Sequence, residues 1–307
     1  MTVVVFGSLN MDLVVRSARL PVPGETILGR QFATIAGGKG ANQAVAVARQ
    51  RVPAVMVGRV GTDSYGPDLC QALANEGIRV DGVSQDSTVA TGIAAIAVAD
   101  SGANQIIVVP GANGQVGGPE LAYLKGQLAA AECLLLQLEI PLSTVTTAAQ
   151  LAHAAGITVI LDPAPAPQAD LRSLYPYIDI LTPNQVEAAQ LVGFPVETIT
   201  QAHEAIAVLR QQGVATVIIK LGEQGILCSR QEEPSLHLPA LPVSAVDTVA
   251  AGDAFNGGLA VALQAGKSLP EALHWAAATA AWAVTQSGAQ PSLPTRSQVT
   301  DLINSLA

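Results

Sequence analysis

Val3–Phe6 is an unbroken apolar run that stops at Gly7-Ser8, the pattern of a strand buried on both faces and feeding a loop. Asp12–Arg16, Thr88–Val98 and Ile106–Val109 are rich in β-branched residues, and Pro21, Pro23, Gly24 and Gly29 punctuate the chain between them. This region predicts a small sheet standing off the main body, built from roughly residues 11–35 and 88–110. Ala41–Gln50 predicts a helix opened by a glycine turn. From about residue 115 the pattern alternates between the two periods. Leu121–Ala131, Ser143–Ala155, Asn184–Val192 and Ala202–Gln212 read as helices; Cys133–Leu138, Thr158–Leu161, Ile178–Leu181 and Val214–Lys220 read as strands. Ala254–Ala265 is a further helix, made of small residues. Such alternation predicts an α/β protein with a mainly parallel sheet covered by helices on both faces, binding ligands at the carboxyl ends of its strands.

Composition narrows the function. Half of the 307 residues are hydrophobic, much of that Ala and Val, which suits close packing of helices on a sheet. No linker or repeat divides the chain, so it reads as a single domain, residues 1–307, carrying the small sheet as a subdomain. A net charge of −9 excludes nucleic acid and anionic membrane as partners. A small anionic ligand is compatible only where backbone dipoles or a lysine offset that field. Cys70, Cys133 and Cys228 are far apart and odd in number, which fits neither a disulfide framework nor a zinc site and suggests thiols in a reducing cytosol. The start of the chain lacks the basic region of a signal peptide, and apolar runs such as Trp275–Val284 are well short of the ~20 residues that span a bilayer. A cytoplasmic protein is expected.

Two phosphate loops are imitated and excluded. Gly266-Lys267-Ser268 ends like a P-loop, but Val261 stands where that motif needs Gly; Gly38-Lys39-Gly40 begins like a dinucleotide loop, but Gln43 occupies the third glycine position. The stretch DTVAAGDAFNGG, residues 247–258, is more informative. An extended segment ends at Asp247-Thr248, and a helix of small residues follows. Ala250-Ala251-Gly252 therefore lies at a helix N-terminus, where unpaired N–H groups and the helix dipole attract anions. Asp253 falls in the first helical turn. It could serve simply as an N-terminal cap, but a carboxylate beside an anion hole can also take the proton of a hydroxyl attacking a phosphoryl group.

DTVAAGDAFNGG is similar to the C-terminal signature of the ribokinase-like family of carbohydrate kinases, and GGKGANQAVAVAR (37–49) resembles its N-terminal signature. GSLNMDLV (7–14), PVPGET (21–26), LQLEIP (136–141), DPAPA (162–166), TPNQVEA (182–188) and GAQPS (288–292) continue the resemblance in collinear order over essentially the whole chain. The resemblance implies a ribokinase-like fold whose small sheet is a lid, and ATP-dependent phosphorylation of D-ribose at O5. It implies that Asn10, Asp12, Gly37, Gly38, Lys39, Asn42 and Glu139 bind the sugar. Asp253 would be the base, with the turn Ala250, Ala251, Gly252 and Asp253 as the anion hole. Asn184 and Glu187, three apart on a helix start, would help position Mg²⁺ and phosphate through water. Lys220, Gly222 and Gly225 would border the nucleotide. Ala277 stands where some relatives carry a polar side chain, so base contacts are weakly specified. Asp247, the carbonyls of Val249, Ala283, Gln286 and Gly288, and the Ser292 hydroxyl are the positions matching a monovalent-cation site, and oxygen ligands suit K⁺. A homodimer through the lid is implied as well. Another sugar kinase of this family, for deoxyribose, fructose or a nucleoside, and a catalytically silent sugar-binding regulator remain as alternatives.

Overall fold

The computed structural model describes residues 2–166, 169–230 and 233–306. In chain order the first half runs β1 (Thr2–Phe6), β2 (Asn10–Ser17), β3 (Gln31–Gly37), α1 (Lys39–Ala48), β4 (Ala54–Gly61), α2 (Tyr65–Asn75), β5 (Arg79–Asp86), β6 (Gly92–Ala99) and β7 (Asn104–Val109). After a 3-10 turn at Gly111–Gln115 come α3 (Gly118–Gln127), β8 (Ala131–Leu136), α4 (Leu142–Ala154), β9 (Thr158–Leu161), β10 (Ile180–Leu181), α5 (Gln185–Val192), α6 (Ile199–Gln211) and β11 (Thr216–Lys220). The chain closes with β12 (Ile226–Arg230), β13 (Leu236–Leu238), α7 (Ala251–Gln264), α8 (Leu269–Ala283) and α9 (Arg296–Leu306).

Nine strands form one sheet in the order β13-β12-β11-β10-β9-β8-β1-β4-β5. Pairing is parallel from β11 to β5 and antiparallel at the β12 and β13 edge. The central strands β1, β8 and β9 are largely apolar because each feeds two cores, whereas β5 at the edge is polar and half exposed. Val3 and Val5 of β1 join the core under α1, α2, α7 and α8, whereas Val4 and Phe6 join the one under α3 to α6. Cys133 and Leu135 of β8 divide from Leu134 and Leu136 in the same way. Phe6 has no solvent exposure, so Phe6→Ala would cost about 3–5 kcal/mol through lost burial and a cavity. The remaining strands form a separate four-stranded sheet, β3-β2-β6-β7, in which β2 and β6 are parallel and the outer pairs antiparallel.

Two glycines govern how the site helices meet. A Cβ on Gly257 of α7 would lie 2.5 Å from the Ala46 Cβ of α1, and one on Gly258 would lie 2.5 Å from the Thr279 hydroxyl of α8. Their absence lets α7 settle against both neighbours. That close approach carries Asp253, one turn before Gly257, onto Asn42 and Gln43, one turn before Ala46. Among the described residues no helix is long and apolar enough to cross a membrane. All three cysteines are free, with Cys133 and Cys228 buried.

Candidate active site

The carboxyl ends of β1, β8, β9, β10 and β11 converge on the first turns of α1 and α7, where a parallel sheet exposes its ligand groups. Gly38 opens α1 with φ +92°, and a Cβ there would fall 2.6 Å from the Asn10 nitrogen and 2.9 Å from the Ser8 carbonyl oxygen. Only glycine fits, because both the dihedral and the approach to the β1–β2 connection forbid a side chain. Glu139, just beyond β8, turns to this helix start: its Oε2 accepts from the Lys39 N–H at 3.2 Å and from the Ser8 hydroxyl. It is therefore tied to α1 and is not a solvated strand end.

Asn10 and Asp12 are on strand β2 of the small sheet. Asn10 is buried, and its Oδ1 accepts from Asn113 Nδ2 at 2.8 Å. Asn113 also bonds both the N–H and the carbonyl of Leu9, so one amide holds the connection from β1 to β2 that joins the two sheets. Asp12 packs onto Gly37, where a Cβ would come 2.5 Å from its Oδ2. Burial, with Glu139 and Asp253 nearby, pushes the Asp12 carboxyl up to about 7. Asn42 is buried, and its Oδ1 has no partner among the described residues. An orphaned buried acceptor is expensive unless a ligand supplies a donor, which a sugar hydroxyl does.

Asp253 lies in the first turn of α7, 5% exposed. Its Oδ2 accepts from Asn42 Nδ2 at 2.9 Å and its Oδ1 from Gln43 Nε2 at 3.1 Å. Burial pushes its carboxyl up to about 6; Lys39 opposes that, Asp162 adds to it, and the two amide donors lower it. Lys39 shows the reverse balance. Burial disfavours its ammonium, yet Asp253, Asp162, Glu139 and Glu187 together hold it above its ordinary range. Ala250 precedes α7 in the left-handed region at φ +60°, a conformation that costs a non-glycine residue about 1–2 kcal/mol. The Ala251 N–H reaches Thr248 O at 3.3 Å, while those of Gly252 and Asp253 donate to no other described residue. The Ala250 N–H likewise donates to no described residue, so within the turn Ala250–Asp253 only the Ala251 N–H is engaged. Lys220 Nζ supplies the local positive charge: it would lie 3.3 Å from a Cβ on Gly252, and it pairs with Asp162 Oδ1 at 3.0 Å.

A cleft of about 610 Å³ runs from Lys39 and Asp253 past Asn184, Glu187 and Lys220 to Gly222 and Gly225. Ala277, Ala280, Ala281 and Val284 give its far wall an apolar surface. Asn10, Asp12, Asn42 and Glu139 do not line this cleft; Asn42 and Glu139 reach it through their bonds to Asp253 and to the Lys39 N–H. Asn184 is the N-cap of α5 rather than part of its face, and it forms a reciprocal capping box with Glu187 in which each bond is 2.8 Å. Glu187 is nevertheless buried beside the cleft. Desolvation raises its pKa, with Lys220 opposing and Asp162 reinforcing. No cluster of three or more His, Cys, Asp or Glu among the described residues could hold a metal by itself. Mg²⁺ is usually held by one or two carboxylates and substrate phosphates, and the cleft presents such carboxylates in Asp162 and Glu187.

Asp247 joins the two segments of the expected cation site. Its Oδ1 accepts from Val249 N–H at 3.0 Å and its Oδ2 from Gly288 N–H at 2.9 Å. The Gln286 N–H bonds the Ala283 carbonyl, and the buried Ser292 hydroxyl donates to Ala289 O at 2.7 Å. The donors available are oxygens, which fits a hard cation.

The profile described as pfkB family carbohydrate kinase matches residues 1–296. The chain belongs to that family. As a pfkB-family kinase it is 41% identical over 302 residues to the ribokinase of Haemophilus influenzae, covering 98% of each chain. It is 33% identical over 304 residues to the deoxyribokinase of Salmonella typhi, covering 99% of each. The solved structure of Arabidopsis thaliana ribokinase complexed with ribose and ATP superposes with a TM-score of 0.90 at 38% identity, covering 98% of each chain.

Sequence reasoning missed four site groups in this pfkB-family kinase. Gln43, Gln137 and Asp162 are buried and bonded into the site, and Asn113 holds Leu9 and Asn10. Asn42-Gln43 was a usable signal, two adjacent amides on an otherwise apolar helix. Gln137 and Asp162 end apolar strands, where a buried polar residue is otherwise costly.

Proposed function

We propose that the protein transfers the γ-phosphoryl group of ATP to O5 of D-ribose, giving ribose 5-phosphate. The observation that carries this reading is the position of Asp253, a buried carboxylate that lines the long cleft and is bonded by Asn42 and Gln43 of α1. The sugar would bind between Asn10, Asp12, Lys39, Asn42 and Glu139, with a hydroxyl supplying the donor that Asn42 Oδ1 lacks. The triphosphate would run along the cleft past Asn184, Glu187, Lys220, Gly222 and Gly225. The Gly252 and Asp253 amides and Lys220 face the charge that develops on the migrating phosphoryl group. Asp253 orients O5 and accepts its proton. Mg²⁺ entering with ATP would neutralise phosphate charge, with Glu187 and Asn184 placed to hold its water shell.

Further parts of the reading rest on the same supports. The small sheet closes over the sugar as a lid within a single domain, which keeps water from competing as acceptor. A monovalent cation, K⁺, is held at Asp247, Val249, Ala283, Gln286, Gly288 and Ser292. Two copies pair through the lid, whose strands expose Val15, Phe32, Ile106, Ile107 and Val108. Free, largely buried thiols favour a cytoplasmic location.

Asp253→Asn tests the base. General-base catalysis is worth roughly 10²–10⁴-fold, so kcat should fall by that factor while ribose and ATP still bind. Turnover within a few-fold of the parent would remove Asp253 from the chemistry. Coupled ADP release measured with ribose, deoxyribose, fructose and adenosine separates the sugar readings. Deoxyribose is the one the Salmonella relative favours.

A further inference from the structure

The least expected feature of the site is a chain of buried amides behind the base. Gln43 has no solvent exposure, and its single NH₂ group reaches two carboxylates, Asp253 Oδ1 at 3.1 Å and Asp162 Oδ2 at 3.1 Å. Ionised carboxylates only accept, so the NH₂ must face them and Oε1 must face away. Gln137, also fully buried at the end of β8, donates its Nε2 to that Oε1 at 2.7 Å. The Gln137 side chain is wedged in turn against the end of β1, since a Cβ on Gly7 would lie 1.9 Å from its Oε1.

We propose that Gln43 is a positioning residue for phosphoryl transfer, its amide fixing one oxygen of Asp253 and separating that carboxylate from Asp162, with Gln137 holding the amide oxygen that faces away. The inference rests on the reading of Asp253 as the base. With Asn42 on the other oxygen, both ends of the Asp253 carboxylate are held. A lysine at position 43 would pair with Asp253 and weaken it as a base. A neutral amide holds the carboxylate while leaving it basic. The groups facing Asp253 are Lys39, Asn42 and Gln43 from α1, Asp162 beyond β9 with Lys220 paired to it from β11, and Asp12 from the small sheet.

The test is the pH dependence of kcat/KM for ribose at saturating ATP in the full-length protein, with melting temperatures measured alongside. Gln43→Met keeps the side-chain length and removes the donor. It should lower kcat about 10- to 100-fold, the range of a hydrogen bond to a charged group. The acid limb should move to higher pH, while KM for ATP stays near the parent value. Gln137→Met should shift the limb the same way, but less. Gln137→Glu should be the more damaging of the two, because a carboxylate there claims the Gln43 NH₂ and turns its oxygen toward the aspartates. A purely structural role would lower the melting temperature in all three and leave the limb where it was. A folded Gln43→Met enzyme with the parent's limb and kcat overturns the inference. Should Gln43→Met not fold, Gln137→Glu no worse than Gln137→Met overturns it instead. An active Asp253→Asn enzyme would sink the reading of the base; an inactive one with an unmoved Gln43→Met limb sinks only the role of Gln43.

Discussion

Asp12 offers a quantitative test of charge crowding among Asp12, Glu139 and Asp253. The carboxyl rises from about 3.8 to about 7 on folding, first through burial and then through Glu139 and Asp253. A raised native pKa means that the folded protein binds this proton more tightly than the unfolded chain. Its contribution to stability is therefore complete below pH 3.8 and is lost as the pH rises through 7. At pH 8 the ionised group costs the native state at most about 4 kcal/mol, from 1.36 kcal/mol per pH unit. No side-chain hydrogen bond to Asp12 opposes this within the described residues, so Asp12→Asn removes the charge without breaking a bond. For a chain of 307 residues the unfolding entropy is roughly 0.6 kcal/mol/K, so the gain at pH 8 is up to about 6 °C. Calorimetric melts of parent and variant, without ligands, should show that gap at pH 8 and its disappearance near pH 4. The variant should meanwhile lose ribose binding. The same crowding predicts that ribose binding to the parent at pH 7 releases about half a proton, because sugar hydroxyls favour the ionised carboxylate. Titration calorimetry in buffers of different ionisation enthalpy reads that number. Equal melting points at pH 8, together with no proton release, would refute the argument.

Lys220→Met strands the 2%-exposed Asp162 beside Asp253; breaking such a buried pair costs about 3–5 kcal/mol, so melting should drop and KM for ATP should rise, and an unchanged KM would detach Lys220 from the nucleotide. Replacing K⁺ with tetramethylammonium should lower kcat without unfolding the protein, since the larger ion cannot be held by inward oxygens. Activity indifferent to that swap would leave Asp247 as a tie between loops and nothing more. Ile107→Glu places a charge on the exposed edge strand β7 and should give a monomer in sedimentation, whereas a parent already monomeric at all concentrations would contradict pairing through the lid.

Local chemistry made much of this molecule legible before folding. The apolar run Val3–Phe6 and its later counterparts had to be strands buried on both faces, because nothing along them alternates. Gly38, Ala250–Gly252 and Asp253 announced two helix N-termini, since glycine and small residues before an apolar helix leave amides open. Partnership across the fold was not legible. Asn184 and Glu187 stood out as a polar pair three apart on a helix start, but that they cap α5 beside the cleft depends on the extended backbone at Asn184. Gln43, Gln137 and Asp162 stand about 94 and 119 positions apart from α1 outward and carry no local pattern. They become a site only when α7 packs on α1 through Gly257 and the sheet brings β8 and β9 underneath. One-dimensional periodicity determines which residues are buried, since burial follows from the period of each element. Which buried polar groups share a proton or a carboxylate is decided by packing, since that depends on distances between segments that the order of residues does not encode.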